Sequence, residues 1–346
     1  MRFPRSVALA VPLALAAISL LGCGGSDPEQ NVESRPAPPA SDFPSGKGLT
    51  LGEVLNQANA PSELVLSPSA PVFYTGENRF GFGVFERDKT QVPDAQIALY
   101  VAKAPEQKSQ GGAGTGPTGK VGALDGPAYG PFPARIETLE TEPAFGSQTT
   151  ANDPDAGTAV YVTDIDFRSN GEWRIGALVK DGDQLTATLL PSVIVGQYTK
   201  IPQVGEKPPR IHTPTREDAA GDLSKITTRV PPDTQNEVDF YNVLGRKPVV
   251  LLFATPQFCE SRTCGPVVDV AEQVKRDYGD KADFIHMEIY KDNDPAKGTN
   301  AQVRAFNLPS EPWLFVIDRN GVIRTDIGGA FSVQELENAV KAVTGQ

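Results

Sequence analysis

The chain has 346 residues, 39% of them hydrophobic and 22% charged, with 33 Gly and 31 Pro. That length is too great for one ordinary domain and suits two with linkers, and the Gly and Pro content favours turns and extended segments over long helices. With 43 acidic against 32 basic residues, a net charge of −11 and no dense basic stretch, the chain lacks the basic surface of a nucleic-acid reader, so nucleic acid is excluded as a partner.

Met1-Arg2-Phe3-Pro4-Arg5 precedes an apolar stretch from Val7 to Leu21. That stretch is too short and too Pro-interrupted to span a bilayer and reads as a leader, not a core helix. It closes on Leu20-Leu21-Gly22-Cys23, which resembles the bacterial lipobox. The resemblance implies a signal peptide over 1–22, acylation of Cys23, and a protein lipid-anchored to the cell membrane on its extracytoplasmic side. Several acyl chains, at about 0.8 kcal/mol per buried methylene, would hold it there, and disulfides persist in that compartment. With Cys23 taken by lipid, one cysteine pair remains, Cys259 and Cys264. Residues 23–60, rich in Gly, Ser, Pro and Ala, read as a flexible tether. Within it the amphipathic piece Leu49 to Asn59 is placed to dock on the domain C-terminal to it.

Residues 61–200 switch to alternation with period two, the sign of half-buried strands. Phe80, Phe82 and Val84 share one face; Tyr161, Thr163, Ile165 and Phe167 another; Trp173, Ile175, Ala177 and Val179 a third. Ser169-Asn170-Gly171 between the last two is a hairpin turn signal. Short strands separated by turns predict an all-β sandwich. The pattern L-x-L-S-P…G-E-N-R-F-x-F, P-D-A-Q-I-A-L-Y-V, Y-V-T-D-I-D-F…G-E-W-R-I resembles the immunoglobulin-like modules of extracytoplasmic bacterial proteins, including YtkA and FixH types. It implies a binding or spacer module without chemistry of its own. The excursion 104–157 carries a Gly-rich insertion (G-G-A-G-T-G-P-T-G) expected as a loop, and Pro131 to Phe145 is expected to return as an edge strand. Residues 201–232, studded with Pro, read as an interdomain linker giving loose coupling.

In residues 233–346 the run Pro248 to Ala254 is continuously apolar and β-branched, as in a central strand buried on both faces. A cysteine-bearing loop follows, then a helix from Pro266 to Tyr278, a strand Asp283 to Tyr290, a helix Ala301 to Phe306, strands Trp313 to Asp318 and Val322 to Asp326, and a helix Val333 to Val343. The order, with V-V-L-L-F-A-T…C…C-G-P, P-W-L-F-V-I-D-R-N-G-V-I and G-G-x-x-x-x-x-E-L-E, is similar to TlpA-type membrane-tethered thioredoxins over about the last third of the chain. Val238 to Gly245 resembles the extra N-terminal strand and turn of that branch. The resemblance implies an α/β thioredoxin-like domain, a redox pair at Cys259 and Cys264, and a cis-proline at Pro312, preceded by Glu311 and followed by Trp313. Glu311 departs from the small or apolar residue common there and would disfavour acidic partners.

The spacing Cys259-Glu260-Ser261-Arg262-Thr263-Cys264 departs from the family's C-x-x-C. On one helix such sulfurs would diverge, so a disulfide within the usual ~4.4–6.8 Å Cα separation needs Cys259 in the loop. Cys264, just before Gly265-Pro266, then lies at the helix N-terminus, where dipole and amide groups favour a thiolate, with Arg262 adding positive charge. Cys259, however, follows Phe258 as the family's reactive cysteine follows an aromatic residue, which would reverse the roles. The expected function is extracytoplasmic thiol–disulfide exchange with envelope proteins bearing thiols or disulfides, without a cofactor. Two alternatives stand beside it. A Sco-like copper-delivery protein needs a histidine with the two thiolates; of the two histidines, His212 lies in the linker and His286 in a central strand, where it reads as a core residue. The other is a non-catalytic envelope binding module with a structural disulfide, worth roughly 2 kcal/mol for so short a ring.

Overall fold

The computed structural model describes residues 32–105 and 124–345; the leader, Cys23 and the Gly-rich tract lie outside the described residues. In chain order the first half contains α1 (Leu51–Leu55), β1 (Ala60–Pro61), β2 (Val65–Pro68), β3 (Gly76–Phe85), β4 (Gln96–Lys103), β5 (Tyr129–Pro133) and β6 (Arg135–Thr138). Then come α2 (Gln148–Ala151), β7 (Ala159–Phe167), β8 (Gly171–Asp181) and β9 (Gln184–Val195). One sheet has the order β2-β3-β7-β6 and the other β1-β9-β8-β4-β5. Phe80, Phe82 and Val84 of β3, Tyr161, Ile165 and Phe167 of β7, and Trp173, Ile175, Ala177 and Val179 of β8 meet in one buried core. The three alternating faces are therefore the inner faces of a two-sheet sandwich.

The hairpin expected at Ser169-Asn170-Gly171 is not formed. The segment turns, with Gly171 at a φ of 107°, but β7 pairs with β3 and β6 while β8 pairs with β4 and β9. The turn thus carries the chain from one sheet to the other. Phe167 and Trp173, on either side of it, meet edge to face with ring centroids 5.4 Å apart. Both large rings thereby lie between the sheets, in the buried core. The chain around Pro131 to Phe145 returns as two edge strands, β5 on the larger sheet and β6 on the smaller.

The segment expected as a tether is packed from Val32 onward. Arg35 exchanges two backbone hydrogen bonds with Ile136 on the β6 edge, at 2.8 and 2.9 Å. Helix α1 opens with a capping box between Thr50 and Glu53 and buries Leu51 and Val54 against Tyr100 and Leu178 on the outer face of the larger sheet. That face is apolar and needs a cover, which is why the amphipathic piece docks.

The second half contains α3 (Phe240–Val243), β10 (Val249–Phe253), α4 (Cys264–Tyr278), β11 (Asp283–Met287), α5 (Ala301–Ala305), β12 (Trp313–Ile317), β13 (Ile323–Gly328) and α6 (Val333–Thr344). From β10 on, this is the element order the sequence predicts. The sheet order is β11-β10-β12-β13, with β10 parallel to β11 and antiparallel to β12. Val250 and Leu252 of β10 face α4 and α6, whereas Val249, Leu251 and Phe253 face Phe240, Val303 and Phe306. Both faces of β10 are covered, which accounts for its unbroken apolar run. Val238 to Gly245 forms one helical turn, not a strand: the Asp239 carboxylate accepts from Tyr241 N–H and Thr213 N–H and caps α3.

Residues 201–232 are not a loose linker. Gly205 and Glu206 hydrogen-bond Ile323 on the β13 edge, both at 2.9 Å. Ile201, Thr213, Ala219, Thr227 and Arg229 are buried. At the other edge of the sheet His286 N–H donates to Gln235 O at 3.0 Å, and Asn236 Nδ2 donates to His286 O at 2.8 Å. Residues 201–236 thus run around the sheet and satisfy backbone groups on both edges, groups that are costly to leave unpaired. Sandwich and C-terminal sheet also join directly. Val160 and Val162, on the outward face of β7, pack with Ala330 and Phe331, and Arg79 and Arg135 both bind Glu335 of α6. No described helix is long and apolar enough to cross a membrane.

Candidate functional site

Cys259 lies in the loop after β10, and Cys264 is the first residue of α4. The helix forms because Val267, Val270, Ala271 and Val274 recur at helical spacing on a face buried by the sheet. Pro266 sits in the first turn, where a missing N–H costs nothing. Thr263 occupies the N-cap position without a side-chain cap bond. Its place is taken by sulfur: Cys264 N–H donates to Cys259 Sγ at 3.2 Å, and Ser261 Oγ lies 3.2 Å from the same sulfur.

Of the two assignments left open by the sequence, this geometry favours a thiolate on Cys259. Being first in the helix turns the Cys264 side chain inward, where it is fully buried; burial, followed by the hydrogen bond and charge of Cys259, pushes its thiol well above the ordinary range. Cys259, half-buried in the loop, collects the groups that stabilise a thiolate. The Cys264 thiol contributes most, ahead of Ser261 and the N–H groups of Cys264 and Thr263; together they outweigh burial and bring its pKa down to about 6. The helix N-terminus does favour a thiolate, as anticipated, but serves the sulfur in front of it. The pair is thus asymmetric: Cys259 is the sulfur whose thiolate its surroundings stabilise, and Cys264 the one whose thiol burial protects.

Pro312 follows Glu311 through a cis peptide bond at the start of β12. Ser261 Oγ donates to Glu311 O at 3.3 Å, so one hydroxyl connects the cysteine loop to the residue before Pro312. The Glu311 carboxyl is pushed up to about 7, first by burial and then by the charges of Cys259 and Glu260. Ser261 carries no sequence signal beyond its place between the cysteines; only folding brings it to both partners. Arg262 does not supply charge to the sulfurs as anticipated. With a φ of 62° it reaches Asp155 at 3.0 Å, and its carbonyl accepts from Gly157 N–H at 2.9 Å. A Cβ on Gly157 would lie 3.0 Å from the Thr263 methyl, so the sandwich segment before β7 fits closely against the cysteine loop.

Behind the site lies a buried polar network. His286 donates from both ring nitrogens, Nδ1 to Asp233 Oδ2 at 2.9 Å and Nε2 to Ala254 O at 3.1 Å. Burial opposes its charge, but Asp233 raises its pKa to about 9, and His286 in turn holds Asp233 far below the carboxylate range. Thr228 Oγ1 donates to Glu288 at 2.7 Å and accepts from Gln257 N–H at 3.1 Å, tying the wrapping segment to the loop that leads to Cys259. On α4, Asp269 accepts from Arg229 at 2.7 Å and from Ser147 and Thr150 of the sandwich. His286 is thus a core residue with both nitrogens engaged, while His212, exposed and stacked on Tyr241, lies in the wrapping segment. Among the described residues no group of three His, Cys, Asp or Glu side chains could hold a metal ion.

No family model matches the chain, and no curated protein matches it in sequence. Among solved structures, a candidate thiol:disulfide interchange protein, DsbE, from Chlorobium tepidum is 19% identical, covering 42% of this chain and 99% of its own, with a TM-score of 0.28.

Proposed function

We propose that the chain is a membrane-tethered, extracytoplasmic thiol–disulfide oxidoreductase acting through Cys259 and Cys264, with its redox pair in a thioredoxin-like domain. The observation that carries this is the asymmetry of the pair: a half-buried sulfur capping α4, with a pKa of about 6, next to a buried thiol of raised pKa. Such a thiolate is mostly ionised at neutral pH, attacks readily and leaves readily. In the reducing direction the Cys259 thiolate attacks one sulfur of a partner disulfide. That bond breaks, a mixed disulfide forms, and the partner's other sulfur leaves and takes a proton. Cys264 then loses its proton and attacks Cys259 Sγ; the Cys259–Cys264 disulfide forms and the partner's second thiolate departs. Two electrons have passed to the partner, and the reverse sequence oxidises a dithiol.

The sandwich is read as an immunoglobulin-like module, supported by its two facing sheets and the buried Trp173. Tethering is read from the Leu20 to Cys23 sequence; release of a Cys23→Ser variant from the membrane fraction is the expected result, and its retention there would refute a lipid anchor at that residue. The redox reading is tested by iodoacetamide labelling of the reduced chain across pH, with peptide mapping. Cys259 labels with a midpoint near the pKa of about 6, and Cys264 stays unlabelled at neutral pH. Cys264→Ser accumulates a mixed disulfide with a disulfide substrate, whereas Cys259→Ser forms none. Insulin reduction by wild type and by neither variant completes the expected pattern; equal labelling of the two thiols and no turnover would leave a structural pair.

A further inference from the structure

A trough of about 530 Å³ opens beside the cysteine loop, with walls from both halves of the molecule. Pro191 and Ile194 of β9 stand on the sandwich side; Glu260, Ser261 and Glu311 stand on the side of the redox pair. Its volume is that of a ligand site, ~300–1,000 Å³. Ser261 forms the link to the chemistry, since its hydroxyl touches Cys259 Sγ at 3.2 Å and Glu311 O at 3.3 Å. Pro68, where β2 ends, and Pro191, within β9, both line it. Ile194 is 48% exposed, an apolar side chain left uncovered at the wall. The only ionisable groups of the lining are the carboxyls of Glu260 and Glu311.

We propose that the sandwich forms one wall of the substrate site, and that an extended, disulfide-bearing segment of a partner protein lies in this trough with uncharged or basic residues beside its cysteine. This rests on the reading of Cys259 as the attacking thiol. Cys259 does not itself line the trough but is half-buried in the loop that supplies Glu260 and Ser261 to its wall, a position that suits a strand or loop better than a flat protein surface. Ile194 offers that segment an apolar contact; Glu260 repels acidic residues beside the cysteine loop, and Glu311, whose carboxyl is pushed up to about 7, adds to this as it ionises. Fusing a sandwich without reactive groups to a redox domain thereby acquires a purpose: it selects which disulfides reach the sulfur.

The test follows thiol release from two short peptide disulfides, identical except for Arg or Glu on either side of the cysteine, on mixing with the reduced full-length chain. The Arg peptide is expected to react at least about tenfold faster, a size typical of local electrostatic selection. Because the whole chain is acidic, the decisive comparison is between two variants of equal charge. Ile194→Lys, inside the trough, is expected to lower the Arg-to-Glu rate ratio by about threefold or more, whereas Val65→Lys, on the sandwich surface outside it, lowers it less. Equal rates for the two peptides, or equal effects of the two lysines, overturn the proposal. The uncharged hydroxyethyl disulfide separates the two levels: if it and both peptides fail to react, thiol–disulfide exchange itself is refuted, whereas its reaction beside an unselective peptide result refutes only the trough.

Discussion

The sandwich and the C-terminal domain both bury aromatic rings, but they handle charge differently. The core shared by the two sandwich sheets is apolar throughout, with Phe73, Phe80, Phe82, Tyr161, Phe167 and Trp173 in contact. The C-terminal domain instead buries Arg229, Asp233, Asp269, His286 and Glu288, each at most 5% exposed, and these side chains fasten residues 213–236 to the sheet and to α4. A purely apolar core needs only volume and alternation, and its packing does not titrate. A buried ionic network holds only while every member keeps its partner and its protonation state. The segment that frames the cysteine loop is therefore conditional on charge in a way the sandwich is not.

The largest expected effect is on Arg229. Arg229→Ala leaves Asp269 buried without its cation and is expected to cost about 3–5 kcal/mol in urea unfolding; a loss under ~1 kcal/mol would mean that Ser147 and Thr150 alone satisfy the carboxylate. Trp173→Ala, the matching test in the sandwich, is expected to cost a similar ~3–5 kcal/mol through the cavity it leaves, and by the same amount at neutral and alkaline pH.

The pH response separates the two regions next. The folded pKa of His286 is raised to about 9, above its unfolded value near 6.5, so its stabilisation is complete below about 6.5 and is lost as pH rises through about 9. Roughly 3 kcal/mol is at stake, from ~1.4 kcal/mol per unit. Asp233, held low by His286, acts on the opposite side, stabilising above its unfolded value of about 3.8 and losing effect only in stronger acid. Unfolding midpoints measured across this range should fall on the alkaline side for wild type and for Trp173→Ala, and show no such slope in His286→Gln. An unchanged slope in His286→Gln would assign it elsewhere. The smallest effect belongs to the loop: Ser261→Ala removes one donor to Cys259 and should raise its labelling midpoint by ~1 unit or less, with unfolding unchanged. A midpoint that does not move would show that the hydroxyl serves Glu311 alone.

How much of this fold is legible in the chain depends on the kind of interaction. Phe80, Phe82 and Val84, or Trp173 to Val179, announce their inner face because a strand repeats every two residues. Val249 to Phe253 announce a covered central strand, and from there to α6 the elements follow in the expected order. Residues 32–48 and 201–236 escape such a reading for a shared reason. They are Pro-studded and aperiodic, and their order comes from backbone pairing to strand edges at Ile136, Ile323 and His286, which leaves no pattern in the pairing residues. The hairpin at Asn170-Gly171 does not form because turn chemistry specifies a reversal, not the sheet to which the next strand belongs.

On its own the sequence determined that Cys259 and Cys264 are a candidate redox pair, that Cys264 heads a helix, and that a proline precedes β12. The helix start and the proline are matters of spacing and local propensity, whereas the redox role of the pair is what the family resemblance implies. Which sulfur is buried and which receives an N–H donor was decided by tertiary structure, because first place in α4 turns Cys264 into the core while its N–H meets Cys259. So were the partners of Ser261, the diversion of Arg262 to Asp155, and the placing of β9 beside the cysteine loop. Each depends on a side chain meeting atoms distant in sequence or folded back within a loop, and such meetings have no period to read.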